Sequence, residues 1–493
     1  MLRPPALVAF AVAVCCAVAD AQTDPTPDTR PSDRAQAIAA RISTEVETVR
    51  GLPFKAPPKI GLYRTDELRA FIIKAFERDL PPAKLAATER SLKALRLLPA
   101  DYDLGAGLLE LLTEQIAGFY DPVTKELRLI DRSGEPEGSS AAIDAMLKGM
   151  GMDMDAITMA HELTHALQDQ HFPLLRLPLD LEGEDDLAAA SQATVEGDAT
   201  VAMMAWTFSR NGGRFDQIFN PVVGRAAAGS MDLKSLPGGA KLAECPPYLR
   251  ESLIFPYIAG MTFCLDVARA SKSFAPIDAA LAAPPRSTEQ ILHAEKLDGA
   301  KRDDPQRLEL PDLAPHLPPG YRLLTTNVLG EAGCRVLFAD ELGARAAAES
   351  APAESRSRTA ERRAAQARAK AAAAVAAGWD GDRYAVYVKD GAPDVLVWLS
   401  VWDTAEDRAE AAARLIELFG EAAVFACGPA DGAATVEADG PTGQDVVLVT
   451  PVDAAAGGGA GGAASALPPP LIDAVRRATR TVLRTTPLKE VPK

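Results

Sequence analysis

The chain has 493 residues, 47% of them hydrophobic and 24% charged, with a formal net charge of −16. That length and balance describe a globular protein of two or three domains with a large core, and exclude a disordered or fibrous chain. The negative balance argues against nucleic acid or an anionic membrane surface as a partner, because both need a basic footprint.

Residues 1–21 read as a secretory signal: Met1-Leu2-Arg3 is a short positive start, residues 6–19 are an apolar run too short for a comfortable span, and Ala19-Asp20-Ala21 is a cleavage site. The mature protein is therefore expected to be exported, periplasmic or secreted. A lipoprotein reading through Cys15 or Cys16 is weaker, since neither follows a leucine-then-small-residue pattern. No later apolar stretch reads as a membrane span. Residues 22–32, with three prolines, form a linker. A helix follows over 32–51, a short strand over 58–63, and two or three helices between 65 and 117. Residues 118–130 place two apolar runs around Asp121-Pro122, a hairpin signature. Such a hairpin could offer its edge to an extended peptide or be purely structural. Residues 133–155, rich in Gly, Ser and acids, read as a loop.

Three of the five histidines fall within Ala-His-Glu-Leu-Thr-His-Ala-Leu-Gln-Asp-Gln-His-Phe, residues 160–172. His161-Glu162-Leu163-Thr164-His165 is an HExxH motif in a helical context without internal Pro or Gly. Residues four apart on a helix lie about 40° apart around the axis and about 6 Å along it, so both imidazoles can reach one cation. Glu162, about 100° round from His161, is then placed as a general base that does not itself fill the coordination sphere. His171, outside this pair and followed by Pro173, reads as a helix-end or surface residue.

A third ligand is sought downstream. Glu182, Glu184, Asp185 and Asp186 sit in a charged turn and read as solvated. Glu196 and Asp198 lie instead in an apolar helical stretch, 188–206, where an unpaired charge is expensive and a metal ion would be its partner. Glu196 is the expected third ligand and Asp198 an acceptor for a ligand histidine, with Gly197 letting this helix approach the HExxH helix.

The HExxH with a Glu-Gly-Asp-Ala helix thirty-one residues beyond its second histidine resembles the gluzincin group of zinc peptidases. Together with residues 118–122, Phe255-Pro256-Tyr257-Ile258-Ala259-Gly260 and Pro284-Pro285-Arg286-Ser287-Thr288-Glu289-Gln290-Ile291-Leu292-His293, it looks like a group of exported bacterial proteins of that type. The resemblance covers roughly 52–297; the Asn-Glu-x-x-Ser-Asp pattern of the thermolysin-like branch is absent, so no substrate preference follows from that branch. It implies one zinc ion per chain, held by His161, His165 and Glu196. A side-chain donor for the oxyanion must come from outside the HExxH helix. His293 is the expected one, with Tyr257 as its rival.

Residues 301–319, rich in Pro and charge, read as an interdomain connection. The expected organisation is α+β: a zincin-like catalytic domain at 33–300, a small sheet with active-site helices, and a smaller α+β C-terminal domain at 320–493. The latter includes low-complexity segments at 351–377 and 454–464. It carries no second HExxH-type site, which favours a binding or regulatory role. Cys245, Cys264, Cys334 and Cys427 could form up to two disulfides in an oxidising compartment and show no CxxC spacing. The functional expectation is a zinc metallopeptidase acting on a peptide or protein substrate, in which Glu162 passes the proton of a metal-activated water to the leaving amine. The alternatives are a non-peptide amide hydrolase and a zinc-stabilised binding protein.

Overall fold

The computed structural model describes residues 33–114, 118–130, 154–220, 222, 239–344, 358–420, 424–427, 444–452, 471, 474 and 479–482. The expected signal, the linker at 22–32, most of the loop at 133–155 and the segment 454–464 lie outside these residues. Helix α1 (Asp33–Arg50) spaces Ala39, Ile42, Val46 and Val49 three to four apart, which gathers them into one buried stripe. Strand β1 (Lys59–Tyr63) leads into α2 (Thr65–Asp79), α3 (Pro82–Ala94) and α4 (Leu104–Glu114), and then into the hairpin β2 (Gly118–Asp121) and β3 (Glu126–Ile130). The three strands form a sheet in the order β1-β3-β2, with β1 parallel and β2 antiparallel to β3. β2 is thus an edge, and it faces the helix that follows.

That helix, α5 (Met154–His171), carries the HExxH motif and stops before Pro173, which cannot supply the next backbone donor. Helix α6 (Asp185–Arg210) is buried almost continuously from Asp186 to Ala202. After α7 (Gly239–Glu244) comes α8 (Pro247–Ala268), and α6 and α8 approach backbone to backbone. A Cβ on Gly197 would lie 2.2 Å from the Gly260 carbonyl, and one on Gly260 would lie 1.9 Å from the Ala193 carbonyl oxygen. Gly197 therefore serves the contact with α8, not the approach to the HExxH helix expected from the sequence. Helix α8 also corrects the expectation that no later stretch could span a bilayer. By length and composition alone it is apolar enough to cross one. Here Met261, Phe263 and Cys264 are buried in a core shared with α5 and α6.

Helices α9 (Ala275–Ala282) and α10 (Thr288–Leu292) precede the short strand β4 (Gln306–Glu309). Then follow β5 (Arg322–Asn327), α11 (Gly330–Ala339), α12 (Arg358–Ala376), β6 (Trp379–Val388), β7 (Asp394–Trp402), α13 (Ala405–Phe419), β8 (Val424–Cys427) and β9 (Gln444–Val452). The strands make an antiparallel sheet ordered β5-β6-β7-β9-β8, while β10 (Thr479–Val482) returns to pair with β4. Strands β6 and β7 are buried on both faces. With period two, Val386, Val388, Leu396 and Trp398 enter one core and Ala385, Tyr387, Val397 and Leu399 another.

The first of these cores also contains Leu92, Leu95, Leu104 and Leu108, so the N-terminal helices pack directly on the C-terminal sheet. Polar latches tie the two halves further. Arg383 donates to the carbonyls of Gly183 and Leu308 and pairs with Glu184 at 2.8 Å. Lys296 is enclosed by Glu289, Asp303 and Asp403 at 2.6, 2.9 and 2.8 Å. Cys245, Cys264 and Cys334 are buried free thiols.

Candidate metal centre

Helix α5 presents His161 and His165 one turn apart, and α6 brings Glu196 against them. His161 Nε2 lies 3.1 Å from Glu196 Oε2 and 3.1 Å from His165 Nε2, and His165 Nε2 lies 3.4 Å from Glu196 Oε2. A tetrahedral ion with bonds of about 2.0–2.1 Å sets its donors about 3.3–3.4 Å apart, so these three atoms fit one such ion. The second carboxylate oxygen, Glu196 Oε1, is buried without a protein partner, an acceptor that a cation would satisfy. The group can hold a metal ion. Glu289, Asp303 and Asp403 form another close acidic group, but Lys296 Nζ already supplies its cation.

The electrostatics of the triad call for positive charge at its centre. Burial pushes the Glu196 carboxyl up, yet the two histidines, His165 foremost, more than offset this and hold it at about 2. Burial likewise opposes charge on His165, and the Glu196 carboxylate outweighs it, raising the imidazole to about 9. Glu162, next to the triad and buried, is pushed up by desolvation against the pull of His165 and His161. Its Oε2 accepts the Tyr120 N–H at 2.8 Å, so the edge of β2 orients the carboxylate. Tyr120 is fastened twice: its hydroxyl donates to Asp169 on α5 at 2.8 Å, and Asp169 also receives the Leu174 N–H and pairs with Lys125.

The structure brings His161, Glu162, His165 and Glu196 together, and two other expected residues elsewhere. His293 faces Glu331 at 3.1 Å and Arg335 at 3.5 Å on α11. It ends the short helix α10, which packs on α6 and α8 as well as α11, and its Nε2 is taken up by Glu331, so the expectation of an oxyanion donor there is corrected. The rival Tyr257 has its ring 6.1 Å from that of His161. Asp198 does not accept from a ligand histidine. The acceptor of His165 Nδ1 is Gln168 Oε1 at 2.8 Å, and Asp198 stands behind it, bonded to Gln168 Nε2 at 2.7 Å and Arg50 Nε at 2.8 Å. The physical reason is helical geometry: Gln168 is one turn from His165 on the same helix and reaches it first. Glu184 is engaged by Arg383, and His171 bonds the Pro53 carbonyl at 2.8 Å near the surface. Gln168, Arg50, Tyr120 and Asp169 went unassigned in the sequence; the polar Gln168 and Asp169 within an otherwise buried helix were the available signal.

Fold and site thus define a mixed α+β protein with a largely buried His-His-Glu donor set able to hold a metal ion and a second carboxylate, Glu162, beside it. Residues 321–458, most of the C-terminal sheet, match the family described as Domain of unknown function (DUF8575). No curated protein matches the chain. It is similar to a crystal structure from Chloroflexus aurantiacus described as a "putative hydrolase with a novel fold", with 17% identity, a TM-score of 0.27, and coverage of 58% of this chain and 94% of that one.

Proposed function

We propose that the chain is an exported zinc-dependent peptidase of the gluzincin type. The small sheet β1–β3 with α5 and α6 would be its zincin-like catalytic domain, and His161, His165 and Glu196 would hold one zinc ion. The observation that carries this reading is the spacing of the three donor atoms, 3.1, 3.1 and 3.4 Å, beside a buried carboxylate that belongs to none of them. A zinc ion there would supply Lewis-acid polarisation of a carbonyl and a water acidic enough to attack it near neutral pH.

The chain's own residues do the rest. Glu162, held through Oε2 by the Tyr120 N–H, accepts the proton of the attacking water and delivers it to the leaving amine nitrogen. Its burial favours the protonated form, which suits the second half of that cycle. The β2 edge lies directly beside the base, where an extended peptide could pair with it. Export rests on residues 1–21 of the sequence. Incubating the purified protein with a peptide mixture, with and without chelator and with zinc added back, tests the reading by mass spectrometry. Chelator-sensitive cleavage restored by zinc supports it; cleavage indifferent to chelator, or none by the zinc-loaded protein, overturns it.

A further inference from the structure

We infer that Gln168, aimed by the buried Arg50–Asp198 ion pair, is the residue that sets the tautomer of His165 and presents its Nε2 lone pair to the metal. The inference rests on the triad being a metal site, and it assigns the positioning role to a neutral amide where a carboxylate was expected.

The argument follows from donors and acceptors alone. Asp198 is fully buried and paired with Arg50, itself only 1% exposed in its side chain, through Nε at 2.8 Å and Nη2 at 3.1 Å. Arg50 also meets Asp278 at 2.5 Å, so one guanidinium serves two carboxylates and keeps Asp198 an acceptor. Gln168 has its amide nitrogen 2.7 Å from Asp198 Oδ2 and 2.9 Å from the Val195 carbonyl oxygen. Both partners can only accept there. The amide can therefore face them only with its NH2 end, which leaves Oε1 directed at His165 Nδ1, 2.8 Å away. An amide oxygen cannot donate, so Nδ1 must carry the proton. Nε2 then points its lone pair at the space shared with His161 Nε2 and Glu196 Oε2. Val195 and Asp198 flank Glu196 on α6, so the same amide that orients one ligand also anchors the helix bearing another.

The test compares Gln168→Leu with Gln168→Glu. The leucine keeps the bulk but removes the acceptor for His165. The new carboxyl group keeps that acceptor and, protonated beside Asp198, can still donate to it. Zinc affinity is read by competition with a chromophoric chelator, alongside the Tm of each metal-free protein. The His165 tautomer is read by long-range 1H–15N correlation of the metal-free forms at a pH where the ring is neutral, where only five histidines need resolving. Gln168→Leu should bind zinc about 10–100-fold more weakly and show His165 as a mixture of tautomers. Gln168→Glu should stay close to wild type in affinity and keep the Nδ1–H form. The inference is overturned if both variants retain wild-type affinity, or if both lose it in step with a fall in Tm while His165 stays Nδ1–H. If wild type itself binds no zinc, the metal reading of the triad fails, and this inference with it.

Discussion

Replacing Gly197 by alanine is a test of how the third donor is held. Its new methyl carbon would sit 2.2 Å from the carbonyl carbon and oxygen of Gly260, where ordinary contact begins at 3.4 Å. Neither side can rotate away, because both are helix backbone. Helices α6 and α8 must therefore separate by about an ångström or slide. Overpacking of this kind costs about 1–3 kcal/mol, and a backbone-on-backbone clash belongs at the upper end. Alanine recovers about 1 kcal/mol in helix propensity, so the net loss should be about 2 kcal/mol. For a domain of this size that lowers Tm by roughly 4–8 °C. Glu196 precedes Gly197 and moves with it, while metal sites tolerate errors of only about 0.2 Å in ligand distance. Zinc affinity should fall together with stability. Thermal unfolding in chelator reads the first and chelator competition the second. An unchanged Tm with wild-type zinc affinity would refute the view that the Gly197–Gly260 contact positions the donor.

Other expected outcomes follow from the same structure. Lys296→Met should destabilise the protein by about 3–5 kcal/mol in denaturant titration, since it leaves the fully buried Glu289 without its cation; a loss below about 1 kcal/mol would show that the cage is not a latch. Asp186 is pushed up to about 7 by burial against the hydrogen bonds from Thr288. Its unfolded carboxyl releases its proton near pH 4 but the folded one holds it to about pH 7, so this group makes stability decline from pH 4 to 7 and adds no further slope above. Asp186→Asn should remove that component, so the difference between wild-type and variant unfolding free energies should slope across this window and be flat beyond it. His293→Ala should leave turnover per folded molecule unchanged while lowering Tm, because its partners are Glu331 and Arg335. A hundred-fold loss of kcat at unchanged Tm would restore it as an oxyanion donor.

Much of the site was legible in the sequence because it is local. HExxH has a fixed helical geometry, and Glu196 is marked by a carboxylate standing in an apolar run. Arg50 was not legible, since it reaches Asp198 across 148 residues and a buried arginine looks like any other at a helix end. His293 was misplaced because the stretch that suggested it fixes a short helix but not the direction in which its last side chain points. The secondary elements of the C-terminal region, Ala405–Phe419 among them, follow from periodicity. Their shared core with Leu92 to Leu108 does not, because an amphipathic helix announces an apolar face and not its partner.

The most direct test measures zinc content and peptide turnover side by side in wild type and Glu162→Gln. The expected result is about one zinc per chain in both proteins and turnover only in wild type, since the base neighbours the donor set without belonging to it. Turnover by Glu162→Gln at the wild-type rate, or a wild-type protein that takes up no zinc, would contradict the assignment of His161, His165 and Glu196 as ligands and Glu162 as base.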